Sequence, residues 1–157
     1  MKKIGILTLF IALMFSSCST TKVERETQMS FRGDWTLDQI VSDQGESVVI
    51  TNLFHHSSVE CFEGSSWNFV ANNNKGSYIL DGTGCPTNEN EFKWFMEEDG
   101  ADTYFMFKRV DEGVKAKDVV SGYKMKVISV DDSQAHLMHE VPFEGGKMSI
   151  HYYFSKQ

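Results

Sequence analysis

The chain has 157 residues, 41% of them hydrophobic and 24% charged, with a formal net charge of −7. The surplus of acids argues against nucleic acid as a partner, because the phosphate backbone is held mainly by Lys and Arg. It argues equally against a cationic membrane-binding patch, so any membrane attachment has to come from another device.

Residues 1–17 begin with Lys2 and Lys3, continue through an apolar run from Ile4 to Phe15, and end on small residues before Cys18. This is the pattern of a signal peptide. A run of about a dozen apolar residues is too short, as a helix, for the roughly 30 Å hydrocarbon core, so a permanent transmembrane anchor is the weaker reading. Phe15-Ser16-Ser17-Cys18 resembles the bacterial lipobox, although Phe15 stands where leucine is usual. That resemblance implies cleavage before Cys18, a diacylglycerol on its thiol and an acylated new amino terminus. Two or three acyl chains, at roughly 0.8 kcal/mol per buried methylene, make such an anchor effectively permanent. The alternative is an ordinary secreted protein in which Cys18 is incidental. Ser19 carries no aspartate-type retention signal, so the outer membrane is the expected location, with the facing side open.

Losing Lys2 and Lys3 with the leader takes the basic residues from 15 to 13 against 22 acids, and the net charge from −7 to −9, because residues 1–17 contain no acid. Residues 18–30 are polar and without apolar periodicity, which predicts a flexible tether. Residues 31–157 are long enough for one domain with its own core, expected to act as a monomer. With Cys18 assigned to lipid, Cys61 and Cys85 remain, and outside the cytoplasm they are expected to pair as a disulfide. A two-cysteine metal site is the alternative, but histidines or a second cysteine pair at ligand spacing are missing.

Along the domain, β-rich runs separated by turn signals predict strands at Trp35–Val41, Ser66–Ala71, Ser77–Asp81, Glu91–Glu97, Thr103–Val110, Gly122–Val130, Gln134–Val141 and Lys147–Phe154. Short turns such as Asn72–Gly76, Asp99-Gly100 and Gly145-Gly146 make successive strands neighbours. The fold class is therefore all-β, an eight-stranded antiparallel up-and-down barrel. Period-two sets assign the inward face: Trp67/Phe69, Phe92/Trp94/Met96, Tyr123/Met125/Val127 and Met148/Ile150/Tyr152/Phe154. Thr103–Val110 is apolar on both faces and cannot be oriented from its pattern. The one long connection, Ser42–Ser65, carries Val48, Val49, Ile50, Leu53 and Phe54, with a possible helical turn around Ser57–Phe62. A connection of this length is usually functional or has structure of its own, and here it is expected to fold over one barrel end as a lid.

Gly33-Asp34-Trp35 at the entrance to the first strand resembles the opening signature of the lipocalins. The longer string CFEGSSWNFVANNNKGSYIL from Cys61 to Leu80, followed by GTGCP at Gly82–Pro86, is similar to the lipocalin-like lipoproteins of Bacteroidetes-type bacteria. The resemblance covers roughly Phe31 to Lys156 and implies a barrel with one lid-covered end. The lipocalins' Thr-Asp-Tyr motif is missing, and no arginine near the C-terminal strand is available to pack over Trp35, where Lys156 is the nearby cation. In this branch the function is generally unassigned.

The candidate site is an interior lined by Trp67, Phe69, Trp94, Met96, Tyr123, Met125 and Tyr152, able to take a small hydrophobic molecule gated by residues 42–65. The alternative is a barrel filled by its own side chains, which would suit a protein-binding envelope module, docking on a partner or inhibiting a cationic enzyme, with the acidic charge as attractant. A solid interior with no room near that loop would count against the carrier reading. Trp35 is expected to plug the closed end. His56 and Glu60 are one helical turn apart, but adjacent His55 and His56 cannot share that face, so a solvated lid is the default. His136 and His139 fall on opposite faces of a strand. Glu97-Glu98-Asp99 and Asp131-Asp132 lie at hairpin tips, where neither supplies enough oxygens for calcium. The sequence contains no nucleophile elbow, phosphate loop, His-Glu-x-x-His helix or dinucleotide fingerprint, so neither an enzyme nor a cofactor is expected.

Overall fold

A computed structural model describes residues 21–45, 49–111, 113–119 and 122–157. The leader and Cys18 lie outside the described residues. Eight strands follow the chain as β1 Gly33–Ser42, β2 Ser66–Val70, β3 Lys75–Ile79, β4 Asn90–Asp99, β5 Asp102–Val110, β6 Tyr123–Val130, β7 Gln134–Phe143 and β8 Gly146–Lys156. They close in sequence order, every neighbouring pair antiparallel, with β1 joined to β8. The eight expected strands are all present, displaced by at most a few residues at their ends.

Closure depends on how β1 divides its pairing. Gly33–Thr36 pair with β2, whereas Leu37–Ser42 continue along β8 alone, with an irregularity between Leu37 and Gln39. The chain then leaves β1 at one barrel end and returns through residues 43–65. Within that segment Val59–Phe62 form a short helix, α2, where the sequence placed a helical turn. Its return is fixed by the Gly64 amide donating to the Leu37 carbonyl (2.8 Å) and the Leu37 amide donating to the Ser65 carbonyl (3.0 Å). Cys61 of α2 is bonded to Cys85, Cα–Cα 5.6 Å, tying this segment to the β3–β4 connection.

Lys22–Phe31 form an α-helix, α1, where a flexible tether was expected. The reason is local: Thr21 and Glu24 make a reciprocal capping box, Thr21 Oγ1 accepting from the Glu24 amide (3.1 Å) and Glu24 Oε2 from the Thr21 amide (2.7 Å). Ten residues alone make a marginal helix, so the docking contacts matter. The Gln28 side chain donates to the Ala71 carbonyl (2.8 Å), Glu24 accepts from the Glu98 amide (3.0 Å), and Phe31 is fully buried. The helix therefore lies across the barrel end opposite the 43–65 segment.

Of the expected inward sets, Trp67, Phe69, Phe92, Trp94, Met96, Met125, Met148, Ile150, Tyr152 and Phe154 are buried, whereas Tyr123 and Val127 are half-buried. The structure also settles β5, whose Phe105 and Phe107 are buried. Gly76 on β3 is set by close packing: a Cβ there would lie 2.1 Å from Phe92 Cζ.

Candidate functional site

The two barrel ends are closed by different means. At the α1 end, Phe31 packs on Trp35, Phe69, Trp94 and Phe105, with ring centroids 5.6–6.3 Å apart. Trp35 is fully buried, its Nε1 donates to the Phe31 carbonyl (2.7 Å), and Lys156 Nζ sits 5.1 Å from its ring centroid. Lys156 also donates to the Ser30 carbonyl (3.1 Å), so it occupies the covering position for which the sequence offers no arginine. Trp35 plugs this end as expected, and Gly33 supports the entry with φ +116°, a region L side chains rarely adopt.

Between the ends, rings touch in an unbroken series. Phe69 meets Phe92, Phe92 meets Trp67 and Phe107, and Phe107 meets Phe54 and Tyr123 at 5.2–5.6 Å. The candidate lining residues Trp67, Phe69, Trp94, Met96, Tyr123, Met125 and Tyr152 do not gather at one place. Trp94 packs near Phe31 at the α1 end, Met96 and Met125 flank Phe105 in one register row there, and Phe69 also meets Phe31. Trp67 stacks on Tyr78 at mid-height (4.6 Å). Only Tyr123 and Tyr152 reach the far mouth. The physical reason is ring content: inward aromatics are spread over the height of an eight-stranded barrel and pack on one another.

At that mouth the filler belongs to the covering segment. Phe54, 4% exposed, inserts its ring among Phe62, Phe107, Tyr123 and Tyr152 at 4.9–5.6 Å, stacked on Tyr152. Leu53 and Phe62 are buried beside it. Phe54 and His55 both adopt left-handed backbone, φ 52° and 51°, at about 1–2 kcal/mol each for residues with a Cβ. Beside Phe54 the segment is fastened by polar contacts: the Tyr78 hydroxyl shares a 2.8 Å hydrogen bond with His56 Nδ1, and Arg109 Nη1 donates to the His55 carbonyl (3.2 Å). Arg109 is paired as well with Asp111 (2.7 Å). An open groove of about 630 Å³ runs beside these groups, lined in part by His56, Asn90, Arg109 and Asp111.

Beneath Phe54, the hydroxyl of Tyr152 is buried without a hydrogen-bond partner. Burial pushes its pKa up, and does the same to Tyr78 and Tyr123, so all three are neutral donors at ordinary pH. An unsatisfied buried hydroxyl costs about 1–3 kcal/mol. Burial, with Arg109 adding to it, holds His56 below its ordinary value.

Comparison with known proteins identifies no relative: no family model, curated protein or solved structure matches.

The remaining sequence candidates separate. His56 is engaged with Tyr78, whereas Glu60 is exposed and bonded locally to Ser58. Among the described residues no group of three or more His, Cys, Asp or Glu is arranged to hold a metal ion. Glu97 and Asp99 both hold Lys124 at 3.1 Å, and Asp131 caps its own turn by accepting from the Ser133 and Gln134 amides. His136 and His139 do face opposite ways, His139 lying 6.0 Å from the Tyr123 ring. The sequence reading missed Phe31 and Phe54 as plugs. Thr21-x-x-Glu24 is the signal for the first; the second lies in a segment without periodicity and had none beyond its apolar character.

Proposed function

We propose that the protein is a lipid-anchored, extracytoplasmic lipocalin-like barrel, a binding protein rather than an enzyme, whose ligand is a small and mainly apolar molecule carrying a hydrogen-bond acceptor. The site is the mouth now held by Phe54. The observation that carries this reading is the unpaired Tyr152 hydroxyl directly beneath a residue supplied by the lid instead of by a strand. A molecule entering there would replace one apolar ring by another and give Tyr152 its missing acceptor. The strained backbone at Phe54 and His55 lowers the cost of lifting the plug, and the Arg109–His56 groove offers an entrance. The signal sequence and lipobox pattern ending at Cys18 support the anchor and, with Ser19, the outer membrane.

A second reading is favoured by the filled interior: a barrel that presents only its outer surface, to a protein of the envelope. Native mass spectrometry of the chain purified from its own host, followed by denaturation and extraction, separates the two. A recurring apolar molecule, released when the protein is denatured, is the expected result. Protein that is empty under several growth conditions overturns the ligand reading and leaves the protein-binding one.

A further inference from the structure

The outer face of the barrel carries a pair of histidines that sequence spacing does not reveal. On β7, Ala135 and Leu137 are buried, so His136 and Met138 point outward; on β8, Ile150 and Tyr152 are buried, so His151 and Tyr153 point outward. The register sets His136 opposite Tyr153 and Met138 opposite His151. His136 Nε2 and His151 Nδ1 lie 2.8 Å apart. The His136 ring is held by stacking on Tyr153, with centroids 4.3 Å apart and planes 22° from parallel.

We infer that this pair is a binding site for a divalent copper ion, with His136 Nε2 and His151 Nδ1 as its two protein nitrogens. The argument is one of placement and donor type. The 2.8 Å contact is a hydrogen bond between the rings, so it fixes no metal geometry, but it shows that the two nitrogens meet at one point of the barrel surface. Imidazole nitrogens suit copper(II), which heads the affinity order among divalent ions of its row. The β7–β8 ladder fixes both Cα positions, so the backbone is already placed and only the rings need to turn. Water completes the coordination. In the metal-free pair one imidazole N–H donates to the other ring's lone pair. On binding, the donor ring moves that proton to its other nitrogen through solvent, both facing nitrogens become ligands, and no net proton is released.

The test is titration of the full folded chain with copper(II) sulfate against glycine as a competitor, read by electron paramagnetic resonance and compared with His136→Gln, His151→Gln and His139→Gln. Comparison among variants cancels copper held elsewhere, at the amino terminus or at Cys18. The expected result is one equivalent dependent on this pair and showing two equatorial imidazole nitrogens, weakened by at least about tenfold in either of the first two variants and unchanged in His139→Gln. Near-ultraviolet circular dichroism establishes that each variant is folded. Folded His136→Gln and His151→Gln proteins that bind copper as the parent does, or a spectrum without two imidazole nitrogens, overturn the assignment.

Discussion

Replacing Phe54 by alanine tests whether the mouth is a site under a plug or simply the top of the core. Phe54 is 4% exposed and touches four rings, so its removal is a large-to-small core substitution costing about 3–5 kcal/mol. The plug itself is more finely balanced. Burying the ring is worth about 1.5–3 kcal/mol, and the Tyr78–His56 and Arg109–His55 contacts add about 1 kcal/mol each. Left-handed backbone at two residues takes back about 2–4 kcal/mol. The closed form is thus favoured by roughly 1 kcal/mol, a conformational tax that divides the apparent affinity of anything competing with Phe54. Phe54→Ala should lower stability by about 3 kcal/mol, read as a reduced urea midpoint, yet bind 1-anilinonaphthalene-8-sulfonate about sixfold more tightly than the parent. Near-ultraviolet circular dichroism separates this from the dye binding of a molten state. Lower stability with intact tertiary signal and no gain in dye binding would refute the reasoning, because the vacated volume would then be closed to ligands.

Gly76→Ala should cost about 1–3 kcal/mol by overpacking, since its Cβ would stand 2.1 Å from the Phe92 ring; a thermal midpoint equal to the parent's would contradict that contact. Reducing Cys61–Cys85, which spans 24 residues, should cost about 3.5 kcal/mol through regained chain entropy and should increase hydrogen exchange first in residues 49–65, which it tethers. Lys156→Met removes the cation over Trp35 and the bond to Ser30 and should cost about 1 kcal/mol, visible as a change in tryptophan fluorescence. Acid should loosen the mouth. His56, His136 and His139 are all held below the ordinary 6.5, so below that pH the unfolded chain binds more protons than the folded one. Their contribution is complete above pH 6.5 and lost as pH falls, so the urea midpoint should drop between pH 7.5 and 5.5, and His56→Gln should flatten part of that fall.

The barrel was legible because strand periodicity is a local property: alternation in Phe92/Trp94/Met96 and Met148/Ile150/Tyr152/Phe154 states which face is inward whatever else the chain does. β5 shows the limit. With Tyr104/Met106 and Phe105/Phe107 both apolar, its face is decided by pairing, Phe107 with Tyr123 on one side and Trp94 on the other, and pairing is not local. The same holds for His136 and His151, fifteen residues apart, whose contact exists only once β7 and β8 are in register. Trp35 as a plug could be anticipated from its place at the start of β1; that Phe31 would arrive from a docked helix required weighing a capping box against a polar composition. Composition describes the average of a segment, whereas a capping box acts on two named amides, and in ten residues the second decides.

What fills the interior bears on how such a barrel can work. If strand residues alone packed the mouth, admitting a molecule would require distorting the sheet, whose hydrogen bonds resist it. Here the top of the core is Phe54, carried on a segment held by the Tyr78–His56 and Arg109–His55 contacts, by Glu63 accepting from the Ile40 amide, by one disulfide and by a few backbone bonds. Movement is therefore available to the one part of the core that the sheet does not own. The disulfide limits that movement, since Cys61 is anchored beside Phe62 while Phe54 lies seven residues earlier, on the untethered side of α2. Lifting Phe54 while Phe62 stays in place exposes the Tyr152 hydroxyl but keeps Trp67 and the lower rings covered. On the proposed reading, a site opened this way would be shallow: it would admit one ring-sized apolar group with an acceptor at its tip and exclude long chains that would need the full depth of the barrel.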